Sequence, residues 1–392
     1  MRNRLQALGV ALTVAGMVLA WQALTVRYSY GGNWSGLFCT GSRLPYPPEL
    51  AHENIYVFPN SAGYDGQAYH YMAHDPWFQR GFSNFIDAPR LRTRRMLLSA
   101  AAWIFAFGND AWIDRALIGM VVAFVGLGSF WSGLLARQFG RPVWLGALFL
   151  LVPSVLVSID RTLTDGALAA FCIGFVLYFR REQWGRLWVV CALAALTRET
   201  GLGLAAAACL YLLIRRDIPR TALFAMAMLP ALAWYRFSWM HTGPEGPGII
   251  GFIPFEGLFY RLLHFSHYDL PRPIEIAAIA LDHVALIGIV VGIFGAWRKA
   301  RAGDWSMPAL AIYLFALLAI FIRNPDAWGD GYAFGRTLSP LLLLLAVDAL
   351  EAPRSGYATR ALLPAALQVP RIGFQWGKQI LNVVNGIGGG LR

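Results

Sequence analysis

Acidic residues are scarce in this chain: 22 Asp and Glu stand against 33 Lys and Arg in 392 residues, and charged residues of all kinds make up only 14%. The resulting net charge of +11 does not point to a nucleic-acid partner, because the basic residues sit in short connections between apolar stretches. Cysteine is rarer still. Of the four, Cys172, Cys191 and Cys209 fall in apolar runs and only Cys39 lies in a polar one, so neither a disulfide framework nor a zinc spacing can be drawn. No internal repeat is visible, which disfavours transporters built from duplicated halves.

Apolar runs are abundant. The chain is 57% hydrophobic with a mean hydropathy of +0.50, and the run 117–135 contains no charge. Long runs of this kind predict an all-α polytopic membrane protein rather than a soluble core. A retained anchor over 5–24 follows Arg2 and Arg4, and further spans are read near 115–135, 143–159, 163–179, 187–197, 201–214, 221–239, 276–297, 307–322 and 333–349. That makes about ten transmembrane helices, with 96–107 as a short outer or re-entrant helix. The basic connections at 137–141, 180–181, 215–216 and 298–301 then share one side. The expectation is a multi-pass protein of the bacterial cytoplasmic (inner) membrane with both termini cytoplasmic. Its main domain spans 1–350, with outer loops 25–95 and 240–275, and a basic cytoplasmic tail follows over 351–392, including Arg354, Arg360, Arg371 and Lys378.

The polar first loop holds the densest chemistry, Gly63-Tyr64-Asp65-Gly66-Gln67-Ala68-Tyr69 followed by His70, His74 and Asp75. These groups transfer protons, donate hydrogen bonds and can bind metal; an ordinary Asp-Gly turn is the plain alternative. Arg90, Arg92, Arg94 and Arg95 follow, a cluster suited to a phosphate. Asp160, Asp165, Arg198 and Glu199 interrupt apolar runs, where charges must pair or face a polar cavity; a structural Arg198 pair with Glu199 or Asp165 is equally in keeping with them. The loop 240–275 carries His241, Glu245, His264, His267 and Asp269, too loosely spaced to specify a metal. Arg336 stands where the last span begins.

Tyr64-Asp65-Gly66-Gln67, the arginines from Arg90 to Arg95, Thr197-Arg198-Glu199-Thr200-Gly201, and Arg336 followed by Pro340 together resemble the polytopic glycosyltransferases of the GT-C superfamily, especially their bacterial members. The resemblance implies transfer of a sugar from a polyprenyl-phosphate carrier to a lipid, glycan or protein acceptor of the cell envelope on the outer face. In that setting Asp65 is the catalytic base or a metal ligand. Tyr64, Gln67, Tyr69, Arg92, Arg94, Arg95, Asp160, Asp165, Arg198, Glu199 and Arg336 are the substrate-binding set. The chain departs from the best-known members in lacking a paired-acid motif after the first span and a large soluble C-terminal domain. The sequence specifies no cofactor; a divalent cation is compatible with the loop acids and histidines, though no spacing demands one. A lipid-linked saccharide flippase or transporter, and a non-catalytic envelope-assembly protein, are the alternative readings.

Overall fold

The computed structural model describes residues 2–243, 248–351 and 356–389, without the side chains of 356–359 and 389. Glu245 and Arg354, both noted from the sequence, lie outside the described residues.

The chain is helical almost throughout, and the first helix shows why. Arg2–Ser29 is rich in Leu, Ala and Val, contains no proline, and buries Ala7, Ala11, Val14, Val18, Gln22 and Thr25. Those positions recur every three or four residues, one face of a 3.6-residue period. The opposite face leaves Leu5, Leu8, Leu12 and Met17 outward. Small residues let the next long helix, Asp110–Gln138, approach closely: Gly126 faces Ala11 and Ala15, and Gly133 faces Ala7. A continuous apolar core runs from these helices through Asp165–Arg180 and Met307–Phe321 to Ser339–Glu351.

Two proline positions bend what would otherwise be long helices. Val143–Leu151 and Pro153–Arg161 meet at 65°, and Gly331–Thr337 and Ser339–Glu351 at 58°. Pro153 disfavours a helical conformation at the residue before it, and Val152 is accordingly extended (φ −69°, ψ 127°). Pro340 removes the amide that would continue the second helix past its break. A third interruption falls at Arg198, extended between Trp184–Thr197 and the turn Glu199–Gly201. All three breaks carry polar residues toward one end of the bundle.

The same end holds the first loop. There the short parallel strands Thr40–Gly41 and Val57–Phe58 and the turns Trp34–Phe38 and Pro48–Glu53 surround the helix Asp65–His74. The basic connections gather at the opposite end, where Arg180 pairs with Glu351 and Lys299 with Asp304 and Asp348.

The structure corrects the ten-span expectation. Three helices among the described residues are long and apolar enough to cross a membrane, Arg2–Ser29, Asp110–Gln138 and Arg272–Arg301, or five if each bent pair counts as one span. The other segments read as spans form helices of 9 to 16 residues, such as Ile218–Met226, Leu202–Ile214 and Asp165–Arg180. At 1.5 Å per residue, 13 residues extend about 20 Å against roughly 30 Å of hydrocarbon. Their apolar character has another cause. Asp165–Arg180 buries 13 of its 16 residues inside the protein, and a helix enclosed on all sides is apolar on all sides whatever lies beyond its neighbours. The segment 96–107 is the nine-residue helix Leu97–Phe105, packed on Asp65–His74.

With the ten-span bundle go the likeness to a GT-C transferase, the multi-pass inner-membrane location and the transfer reaction on an outer membrane face. The flippase and envelope-assembly alternatives rested on the same bundle and fall with it.

After Glu351 the chain folds back as Gly356–Ala366 and Val369–Gly389. Arg371 is buried against Asp282, Gln368 donates to the Ala285 carbonyl, and Trp376 stacks on Trp21 at 5.0 Å.

Candidate functional site

Asp65 opens the helix Asp65–His74 directly after Tyr64, whose backbone is fully extended (φ −144°, ψ 174°). The Asp-Gly pair is thus a helix start rather than a turn. Gly66 is required there: a Cβ on it would lie 2.2 Å from the Arg161 carbonyl oxygen and 2.9 Å from that of Phe38. Gln67 fixes the approach to the helix, accepting from the Gly41 amide and donating to the Ala62 carbonyl.

Three guanidinium groups converge on the Asp65 carboxylate. Arg92 Nη1 lies 2.5 Å from Oδ1, and Arg336 Nη1 and Arg95 Nη1 lie 2.9 and 3.2 Å from Oδ2. Arg95 continues the network, gripping Glu199 with both Nε (3.0 Å) and Nη2 (2.9 Å) and donating to the Tyr69 hydroxyl at 3.1 Å. Arg92 forms a fork with Asp87, and Arg198 pairs with Asp165 and donates to Thr337. Arg336 also approaches Asp165 at 3.6 Å. Four guanidiniums thus face four carboxylates, Asp65, Asp87, Asp165 and Glu199. Pairing with Asp65, Asp165 and Glu199 inside, and with the exposed Asp87 at the edge, is what allows these guanidiniums to be buried.

Burial by itself would raise the Asp65 carboxyl, but Arg336, Arg92 and Arg95 overcome it and hold the group well below the ordinary carboxylate range. Burial likewise opposes ionisation of Glu199, and Arg95 and Arg198 outweigh it to bring that carboxyl to about 2. Both are firmly ionised and weakly basic while the arginines stay in place.

These groups line a cavity of about 510 Å³ whose walls include Tyr64, Asp65, Arg92, Arg95, Arg198 and Arg336. The Tyr64 ring lies between two cations, Arg161 at 4.5 Å and Arg336 at 4.9 Å. Five polar atoms of lining residues are buried and make no hydrogen bond within the protein: the Tyr64 and Thr200 hydroxyls, Arg336 Nε, and Nε and Nη1 of Arg198, the last of which is ion-paired with Asp165.

Of the residues singled out in the sequence, Tyr64, Asp65, Gln67, Arg92, Arg95, Arg198, Glu199 and Arg336 line this cavity. Tyr69 and Asp165 stand behind it, bonded to Arg95 and paired with Arg198 and Arg336. Asp160 is turned away, bonded to Arg161, Tyr332 and Gln379. Arg94 is half-buried and does not line the cavity. His264 stacks on Tyr260, and His267 is exposed beside Glu275, so the 240–275 histidines do not assemble with Asp269 into a metal group.

A second, largely buried cluster forms where the sequence reading had only its two histidines. Ligand atoms of Glu53, His70, His74 and Asp114 all lie within 4.8 Å of one another, a geometry compatible with a divalent metal ion. The signal available in the sequence was a pair of i, i+4 spacings, His70 with His74 and Asp110 with Asp114, each placing two donors on one helical face. Glu53 had no such signal.

Comparison with protein-family models, with curated proteins and with solved structures finds no match to this chain. The functional reading therefore rests on the cavity itself.

Proposed function

We propose that the Asp65 cavity binds a phosphate ester and that the protein is a group-transfer enzyme, with Asp65 taking the proton of an acceptor hydroxyl. The observation that carries this reading is the convergence of Arg92, Arg95 and Arg336 on one carboxylate at the wall of the cavity. Planar guanidinium forks match phosphate oxygens as they match carboxylate oxygens. A phosphate entering the cavity competes with Asp65 for the same donors. As Arg92 and Arg336 turn to the ligand, Asp65 loses the charges that depress its basicity, and a weak base becomes a competent one only when substrate is present.

Glycosyl transfer from a sugar phosphate to a hydroxyl of a glycan, lipid or protein is the reaction class we propose. It needs a carboxylate for the acceptor proton and cations for the departing phosphate. Both are available from the cavity lining without any multi-span bundle. A divalent cation is proposed as the metal partner, held at Glu53, His70, His74 and Asp114 rather than among the acids of the cavity.

The test is calorimetric titration of the full chain with inorganic phosphate, pyrophosphate and a sugar 1-phosphate. Saturable binding is expected, falling with salt and weakened roughly 10- to 100-fold in Arg336→Gln, the scale of one or two charge-assisted hydrogen bonds. Folded wild-type protein with no affinity for any of the three probes sinks the reading.

A further inference from the structure

We infer that Glu53, His70, His74 and Asp114 form a transition-metal site that braces the helix carrying Asp65 against the first loop and the long helix Asp110–Gln138. The inference is independent of the phosphate reading, since none of these four residues lines the Asp65 cavity.

The ligands come from three elements. His70 and His74 lie one turn apart on Asp65–His74, Asp114 lies one turn into Asp110–Gln138, and Glu53 ends the turn Pro48–Glu53. His70 Nε2 is 2.8 Å from Asp114 Oδ1 and 3.7 Å from Glu53 Oε2, and His74 Nε2 is 3.3 Å from Asp114 Oδ1. Bonds of about 2.0 Å to a tetrahedral ion set ligand atoms roughly 3.3 Å apart, so only small side-chain movements separate this arrangement from a coordination shell.

The His70 contacts are close but poorly aligned as hydrogen bonds, while His74 Nε2 is hydrogen-bonded to Asp114 Oδ1. Both ring nitrogens of His70 and Glu53 Oε2 are buried without a well-aligned hydrogen-bond partner. A hydrogen bond needs one proton on the line between two atoms, whereas ligands of a cation aim their lone pairs at a shared centre. Orphaned buried polar atoms are rare in folded proteins, and two of these, His70 Nε2 and Glu53 Oε2, lie 3.7 Å apart beside Asp114.

The surroundings fit as well. Asp110 Oδ1 lies 2.8 Å from His74 Nδ1, and Arg80 holds Asp110 in turn at 2.9 Å. A carboxylate accepting from Nδ1–H fixes the tautomer that leaves Nε2 free for a metal. Phe38 stacks on His70 at 4.3 Å and sets the plane of its ring. Two carboxylates balance a 2+ charge, and Asp114, 29% exposed, gives an ion a way in from solvent. Two imidazoles with two carboxylates suit Zn²⁺, Co²⁺, Mn²⁺ or Fe²⁺; Mg²⁺ and Ca²⁺ prefer oxygen throughout. His70 and His74 follow Asp65 by five and nine positions, so the ion lies about 7 to 14 Å along the helix from the cavity. It acts on Asp65 through position alone.

The experiment strips the full chain with chelator, then titrates it with Co²⁺ while recording visible absorption and thermal stability. One equivalent of Co²⁺ with a four- or five-coordinate spectrum, displaced by Zn²⁺, and a rise in Tm with Zn²⁺ but not Mg²⁺ or Ca²⁺ are expected. His74→Gln and Asp114→Asn should each weaken Co²⁺ at least 100-fold, and Asp110→Asn roughly 10- to 100-fold as an orienting partner. Asp65→Asn should keep the stoichiometry and spectrum, which separates this site from the cavity. A folded wild-type chain that yields no Co²⁺ spectrum overturns the inference, as does unchanged Co²⁺ affinity in Asp114→Asn, the variant whose partly exposed side chain makes loss of fold the least concern.

Discussion

Arg336 Nη1 meets Asp65 Oδ2 at 2.9 Å across 271 positions of sequence. The contact joins the start of the helix Asp65–His74 to the short helix before the 58° bend at Pro340, so the cavity exists only when both ends of the bundle's polar layer are in register. Each partner is both a structural counter-charge and a candidate ligand group.

That double role sets the outcome for Asp65→Asn. The amide preserves shape but leaves Arg92, Arg95 and Arg336 facing a neutral group, and breaking a buried pair in this way costs about 3 kcal/mol or more. Transfer, assayed with a sugar phosphate, should fall roughly 100-fold or further, and Tm should fall with it. An Asp65→Asn protein as stable as wild type would show that the arginines are not held by Asp65.

Acid should loosen this region. Glu199 is brought to about 2 from an ordinary 4.5, and Asp65 is also depressed. A group lowered on folding adds stability that is full above its unfolded value and disappears as pH falls through the folded one. The contribution of these two carboxyls should thus be flat above about pH 5 and decline toward pH 2, with Glu199 supplying about 3 kcal/mol of it. Chemical denaturation across that range compares wild type with Glu199→Gln, whose curve should be shallower. Parallel curves would remove the Arg95 pair as the cause.

Gly66→Ala should be more damaging than its size suggests. The added Cβ meets backbone oxygen at 2.2 Å, which no side-chain rotation relieves. A loss of about 1 to 3 kcal/mol, typical of overpacking, should accompany weaker phosphate-ester binding, because Asp65 is the adjacent residue. Thermal melts and titration of the same preparation report both, and a Gly66→Ala chain with unaltered Tm contradicts the close approach.

Arg371 offers a test far from the cavity. Asp282 is fully buried between Arg371 at 2.7 Å and Arg261 at 2.8 Å, with the Tyr268 hydroxyl also donating to it. Arg371→Met should cost about 3 kcal/mol, since Asp282 keeps only Arg261 as a counter-ion; Asp282→Asn, which leaves both buried arginines without their carboxylate, should cost more. An Asp282→Asn chain more stable than Arg371→Met argues against the shared carboxylate.

What could be seen in the sequence was the chemistry of single residues. Asp65, its arginines and the Arg198–Glu199 interruption announce themselves because charge among apolar residues must find a partner. Which partner it finds is a matter of geometry: Glu199 goes to Arg95, Arg198 to Asp165, and Asp160 turns to Gln379. The number of spans is not legible from hydropathy, which does not distinguish a helix surrounded by lipid from one surrounded by protein, as Asp165–Arg180 demonstrates. Glu53 and Asp114 were invisible as a pair, being donors from separate elements that meet only through His70 and His74.

The return of Val369–Gly389 to the first helix has a kinetic consequence. Trp376 on Trp21 and Asn382 beside Ser29 join residues more than 350 positions apart, contacts no nascent chain can make until the last helix has emerged. Until then Asp282 lacks Arg371 and Asp160 lacks Gln379. Contacts of such long range carry a large loop-closure cost and slow folding, and a chain in which this helix has not docked holds two interior carboxylates only partly matched.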